Sequence, residues 1–165
     1  MHLSPHFTLA EAMASNTARA RGIDNTPPAE AIPRLRFVAE TILEPIRAHY
    51  GVPIIYDGGL SWYRCPALNA AVGGAADSQH MTGEAVDIEV RGVSNIDLAR
   101  WVEANLTFDQ LILENWNGSD PSSGWVHVSA VREPRREVLT WQPGKGYSKG
   151  LPGAMADIPH EGPIS

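Results

Sequence analysis

"SQHMTGEAVDIEV", residues 78–90, is the stretch on which the reading of the fold turns. Its second half, "AVDIEV", alternates. It is expected to be a strand with Ala85, Asp87 and Glu89 on one face and Val86, Ile88 and Val90 on the other. Gly83 permits a tight turn into that strand. Asp87 lies between Val86 and Ile88, and a carboxylate buried there is costly unless it is paired or bound to a metal. His80 stands seven residues before it and could share the partner.

Working outward, "FTLAEAMASNTARARGID" opens with Thr8 ahead of Leu9, Ala10 and Glu11, a capping-box pattern, and predicts a short helix ending near Gly22. In "NTPPAEAIPRLRFVAETILEPIRAHYG", Pro27 and Pro28 suit a helix start. Ile32, Leu35, Val38, Ile42, Leu43 and Ile46 form an apolar stripe at helical spacing, closed by Gly51. Pro33 falls in the first turn, and Pro45 is expected to kink or break the helix. "VPIIYDGG" reads as a buried strand and "PALNAAVGG" as a short helix closed by glycines. "SNIDLARWVEANL" reads as an amphipathic helix capped by Ser94 or Asn95. "FDQLILE", "GWVHVSAV" and "REVLTW" are further strands, the last two forming a hairpin around "REPR". The order predicts an α+β fold, with helices packed on a mainly antiparallel sheet.

The chain has 165 residues, 43% hydrophobic and 19% charged, with a net charge of -6. That suits one globular domain with a real core. It offers no basic footprint, so nucleic acid is not expected as a partner. Cys65 is the one cysteine, which excludes an intramolecular disulfide. "MHLSPHFTLAEAMAS" lacks a basic segment followed by an apolar run, so no secretory signal is expected, and no apolar stretch reaches the roughly 18–20 residues of a membrane span. Synthesis in the cytoplasm without membrane insertion is the expectation. After Trp141 the sequence is rich in Gly and Pro. Residues 142–165 therefore read as a tail, adding little to folding, behind a domain of residues 1–141.

The chemistry gathers at three residues. Ala85 beside an inward Asp87 leaves room for something bulky. In "GWVHVSAV", His127 alternates with Val126 and Val128 on an apolar strand. Two histidines and one carboxylate on rigid backbone make a three-ligand zinc set with one open position, the mark of a catalytic rather than a structural site. A lone strand histidine is ordinarily a hydrogen-bonded core residue, and a lone buried aspartate a turn or cap partner. Spacing alone leaves both readings open.

"SQHMTGEAVDIEV" followed by "WVHVS" resembles the S-x-H-x-x-G-x-A-x-D … H signature of the zinc D-alanyl-D-alanine carboxypeptidase-like peptidases. That superfamily also holds phage L-alanyl-D-glutamate endopeptidases and the hedgehog signalling domain. "SWYRCPALNAAVGG" is similar to the segment preceding the signature, and "FDQLILE" to the strand before the last histidine. The similar segments span roughly residues 3 to 140. The resemblance implies one Zn²⁺ per chain held by His80, Asp87 and His127, with Ser78 orienting the loop. It implies that Arg64 reaches the site and pairs with a substrate carboxylate or carbonyl. Trp62 and Tyr63 are candidates for the cleft wall or the core. Cys65, where relatives often have serine, is expected to be neither ligand nor nucleophile.

Two positions depart from the pattern. Several of these peptidases place an acid three residues before the last histidine, where this chain has Gly124. Relatives often carry a histidine two before it, where this chain has Trp125. The hedgehog domain has a similar phenylalanine-to-glutamate spacing to that of Phe108 and Glu114, with the glutamate beside the zinc. Glu114 is thus the candidate general base, with Asp120 in "NWNGSDPSSG" as runner-up. Arg64 or the Trp125 indole would stabilise the oxyanion, and Arg64, Ser78 and Trp125 would contact substrate. The resemblance implies hydrolysis of peptide bonds in peptidoglycan stem peptides, and a monomer is the expectation. A compact domain without a signal suits a phage or prophage lysis enzyme, released by a holin or carried in a virion. A zinc-containing wall-binding or virion module is the alternative.

Overall fold

The structure, a computed structural model, describes residues 1–55 and 61–153. Helix α1 (Leu9–Met13) starts at a complete capping box: the Glu11 amide donates to the Thr8 hydroxyl (3.3 Å), and the Thr8 amide donates to the Glu11 carboxylate (2.7 Å). The single helix expected to run on to Gly22 is instead two. Ala14 turns extended, and the Ser15 hydroxyl caps a second helix, α2 (Asn16–Arg21), which Gly22 ends with φ 64°.

Helix α3 (Ile32–Val38) follows a 3₁₀ turn after Pro28, with Pro33 in its first turn. Pro45 does not break the helical run. The chain widens into a π-helical segment, Ala39–Leu43, and continues as α4 (Glu44–Tyr50) up to Gly51. Proline has no N–H to bond the carbonyl four residues back, and a wider turn absorbs that lost donor. Leu35, Val38, Ile42, Leu43 and Ile46 are fully buried along one side. Each contributes about 1.5–3 kcal/mol by leaving water.

Two residues of the expected strand "VPIIYDGG" form β1 (Ile54–Ile55); Val52 and Pro53 precede it outside the strand, and 56–59 lie outside the described residues. Then come α5 (Pro66–Ala71), β2 (Ala85–Val90), α6 (Asn95–Asn105), β3 (Gln110–Glu114), β4 (Trp125–Ser129), β5 (Glu137–Gln142) and β6 (Gly146–Lys149). The sheet order is β1-β2-β4-β3-β5-β6, antiparallel throughout except for the parallel pair β3–β5. The architecture is α+β, as the element order implies.

Two expectations are corrected. β4 and β5 do not form a hairpin around "REPR": β3 lies between them, and β5 pairs with β3 through Leu111↔Val138 and Ile112↔Leu139. The connection is held from Asp109, whose carboxylate accepts from the Arg135 amide (2.9 Å) and side chain (2.8 Å). Part of the expected tail also belongs to the sheet. β6 pairs with β5 through Trp141↔Tyr147, the Gly150 amide donates to the Val138 carbonyl (2.8 Å), and Arg100 donates to the carbonyls of Pro152 (3.0 Å) and Gly153 (2.9 Å). Residues 154–165 lie outside the described residues.

The sheet has two unlike faces. Val86, Ile88, Leu111, Leu113, Val126 and Val128 point into the core, where α6 packs across β2, β3 and β4. The alternate residues Asp87, Ile112, Glu114, Trp125, His127 and Leu139 line an open cleft. No helix among the described residues is long and apolar enough to cross a membrane.

Candidate metal centre and active-site cleft

Asp87 and His127 are cross-strand partners on β2 and β4. Their registry places both on the cleft face, and His127 Nδ1 lies 2.9 Å from Asp87 Oδ1. His80 comes from the turn before β2. Its backbone carbonyl accepts from the Arg64 amide (3.2 Å), and its Nδ1 lies 2.7 Å from the Trp62 carbonyl. Gly83 enters the strand with φ 80°, and a Cβ there would press on Leu35 and the Ala31 carbonyl.

A carbonyl only accepts, so His80 Nδ1 carries the proton and Nε2 presents a lone pair. Burial pushes the His80 imidazole below its ordinary value, towards the neutral form, against the pull of Asp87. Nε2 then faces Asp87 Oδ1 at 3.2 Å and His127 Nδ1 at 3.2 Å. Burial alone would push the Asp87 carboxyl up. The hydrogen bond to His127 opposes it, and the carboxyl is held well below the usual carboxylate range. A lone pair and a carboxylate oxygen so close repel unless a cation lies between them. Zinc bonded at about 2.0–2.2 Å in tetrahedral geometry spaces its ligand atoms roughly 3.3–3.6 Å apart. The spacings here, 2.9 to 3.2 Å, are close to that. Among the described residues, this trio is the group able to hold a metal ion.

Arg64 sits beside it, mostly buried, with Nη2 donating to Asp87 Oδ2 (3.2 Å). One Asp87 oxygen thus turns to the histidines and the other to the guanidinium. Arg64 Nε is buried without a hydrogen-bond partner, and the residue lines the cleft. Burial lowers the guanidinium from its ordinary value, while Asp87 and Glu114 oppose the shift.

Glu114 ends β3 directly opposite Trp125 on β4, and both line the cleft. Burial pushes the Glu114 carboxyl up from its ordinary value. His127 and Arg64 pull it back, and the Asp87 charge adds to the rise. Ser78 also lines the cleft, and its carbonyl accepts from the Met81 amide at 3.0 Å, shaping the turn that carries His80.

The structure does not bring Asp120 to this group. Asp120 is exposed, is not among the cleft residues, and its carboxylate accepts from the Ser122 amide (2.9 Å) within its own loop. Trp62 and Tyr63 belong to the core, each at most 2% exposed. Cys65 caps α5, its sulfur accepting from the Leu68 amide (3.4 Å), the role a serine hydroxyl ordinarily fills.

The sequence reading missed three supports. Buried Asn25 donates to the carbonyls of Met13 (2.9 Å) and Tyr63 (3.0 Å) and accepts from the Cys65 amide (2.7 Å), clasping both neighbours of Arg64. Asn95, just inside the cap Ser94, donates to the Gly124 carbonyl (2.7 Å) and holds the β3–β4 loop. Asp109 binds Gln79 (2.9 Å) beside His80, as well as Arg135. All three sit in segments whose local pattern reads as a turn, a cap or a strand edge, with no signal of a distant partner.

Residues 5–129 match the family described as Peptidase M15. The chain belongs to the M15 peptidase family. The match ends with β4, so it contains the three candidate ligands, Arg64 and Glu114, and leaves β5 and β6 outside. No curated protein matches the chain. M15 peptidases are zinc metallopeptidases, and the donor set at His80, Asp87 and His127 suits that metal. The M15 cleft measures about 1090 Å³ and runs from α2 and α5 across the metal site to β5 and β6. That lies at the upper end of the size of small-molecule pockets.

Proposed function

We propose that this M15 peptidase hydrolyses peptide bonds in peptidoglycan stem peptides, using zinc held by His80, Asp87 and His127. The observation that carries the reading is the convergence of these three side chains beside Glu114 and Arg64 in one open cleft. Bound zinc supplies Lewis-acid chemistry: it polarises a carbonyl and lowers the pKa of water towards ~7.

The chain's own residues do the rest. Glu114, with its carboxyl raised by burial, accepts the proton of the attacking water and returns it to the leaving amine. Arg64 has a buried Nε to offer, and it receives a substrate carboxylate or the developing oxyanion. Trp125 and Ser78 line the approach. Stem peptides, short and rich in free carboxylates, suit an arginine at the reacting centre. A role in phage or prophage lysis, with release through a holin or within a virion, accords with this chemistry.

Digestion of purified peptidoglycan by the zinc-loaded protein, with fragments identified by mass, tests the reading and names the bond. The expected result is new amino termini or released D-alanine, abolished by a chelator and restored by zinc. If a zinc-loaded protein releases no fragment, the wall-binding reading replaces the enzyme.

A further inference from the structure

Residues 61–65 run past the metal site without belonging to a helix or a strand. They hold two of the three candidate ligands. The Asp87 amide donates to the Ser61 carbonyl (2.7 Å), His80 Nδ1 to the Trp62 carbonyl (2.7 Å), and the Arg64 amide to the His80 carbonyl (3.2 Å). One buried side chain grips this strap from behind at two points. Asn25 Nδ2 donates to the Tyr63 carbonyl (3.0 Å) and to the Met13 carbonyl (2.9 Å), and Asn25 Oδ1 accepts from the Cys65 amide (2.7 Å). The Tyr63 carbonyl belongs to the peptide unit before Arg64, and the Cys65 amide to the unit after it. Each peptide unit is planar, so fixing these two planes fixes φ and ψ of Arg64.

An arginine side chain carries about 2 kcal/mol of rotamer entropy, which is lost when it is ordered. Arg64 is already ordered: its side chain is mostly buried, Nη2 donates to Asp87 Oδ2 (3.2 Å), and Nε is buried without a partner. The direction in which the guanidinium leaves the strap follows from the Arg64 backbone, and that backbone is set by Asn25. We propose that Asn25 is a positioning residue of the active site: its amide locks the two peptide planes around Arg64 and so aims the guanidinium before substrate arrives. The effect of Asn25 on turnover passes through Arg64. The proposal rests on Arg64 contacting substrate.

The test compares wild type, Asn25→Ala, Arg64→Ala and the double variant, each loaded with zinc and assayed on the peptidoglycan fragment that wild type cleaves. Asn25→Ala is expected to lower kcat/KM about 10-fold, the weight of one hydrogen bond to a charged group, with zinc content unchanged. The loss should vanish in the Arg64→Ala background. Full kcat/KM in Asn25→Ala beside an impaired Arg64→Ala overturns the proposal alone. An equal loss in both backgrounds also overturns it. Full activity in Arg64→Ala removes the substrate role of Arg64, and the proposal falls with it. Asn25→Asp keeps the size of the side chain and the acceptor for the Cys65 amide but loses both donors, and it carries the same test if Asn25→Ala does not fold. Failure of both variants to fold makes Asn25 a residue of the fold alone and overturns the proposal. A readout without turnover is ¹⁵N relaxation of the Arg64 Nε–H group, the signal that disappears in Arg64→Ala. Its order parameter is expected to drop from about 0.85, that of a rigid group, to below about 0.6 in Asn25→Ala. The Arg135 Nε–H, held by Asp109 Oδ1 (3.1 Å), is the internal control and is expected to stay rigid. An Arg64 signal indifferent to Asn25→Ala, or an equal loss at Arg135, overturns the proposal.

Discussion

A Cβ placed on Gly124 would collide with the backbone carbonyl of Glu114. Gly124 also holds φ at 71°, in the left-handed region. The position where several relatives carry an acid therefore accepts no side chain in this chain. Glu114, on the neighbouring strand opposite Trp125, is among the acids that line the cleft.

It follows that restoring the relatives' acid is harmful. Gly124→Glu combines a left-handed backbone, about 1–2 kcal/mol for a residue with a Cβ, with overpacking of about 1–3 kcal/mol. Urea unfolding is expected to show a loss of at least about 2 kcal/mol. A Gly124→Glu protein as stable as wild type would refute the steric account.

Metal retention should depend on the cross-strand pair. His127→Ala removes one of three converging donors. Metal analysis of the purified variant is expected to show loss of most bound zinc. A chelator is expected to lower the wild-type Tm, because the apo site leaves Asp87 and His80 facing each other without a cation. Full zinc occupancy in His127→Ala would exclude the assignment.

The two candidate acids should separate cleanly. Glu114→Gln leaves the three candidate metal ligands in place and removes the proposed proton acceptor, so turnover is expected to fall about 10²–10⁴-fold. Asp120→Asn alters an exposed loop carboxylate engaged with Ser122. Its turnover is expected to stay near wild type. The reverse pattern would move the base to the loop.

Stability should carry an acid limb from Asp109. Burial pushes this carboxyl up, but hydrogen bonds from the Arg135 side chain and backbone and from Gln79 outweigh burial and hold it below its ordinary value. A carboxyl depressed in the folded state stabilises the fold fully above its unfolded value, ~3.9, and loses that contribution as pH falls through the folded value. Asp109→Asn is expected to be less stable than wild type at neutral pH by about 1–3 kcal/mol. The gap should close in urea melts taken down through the carboxylate range. A gap independent of pH would show that the ionised form is not what stabilises.

Truncation after Trp141 removes β6, the partner of β5, and leaves the Val138 carbonyl without its Gly150 donor. The expected outcome is a Tm several degrees lower, by thermal melt. An unchanged Tm would mean that the hairpin adds nothing to the domain.

Alternation and spacing were enough to find the ligand candidates. In "AVDIEV" and "WVHVS" the period of two puts Asp87 and His127 on faces opposite to their valines, and that parity holds whatever the strand pairs with. The capping box at Thr8, the helix closed by Gly51 and the first-turn Pro33 were legible for the same reason. Each is settled by residues within a turn or two of one another.

Pairing was not legible. That Asp87 faces His127, that β3 enters between β4 and β5, and that Gly124 packs too close to the Glu114 carbonyl to hold a side chain are all matters of register between distant segments. Such registers are chosen by which faces can be buried together. Tyr147 shows the limit most sharply. Among glycines and a lysine it reads as tail. It acquires a strand, a cross-strand partner in Trp141 and a place on the cleft only because β5 offers an unpaired edge.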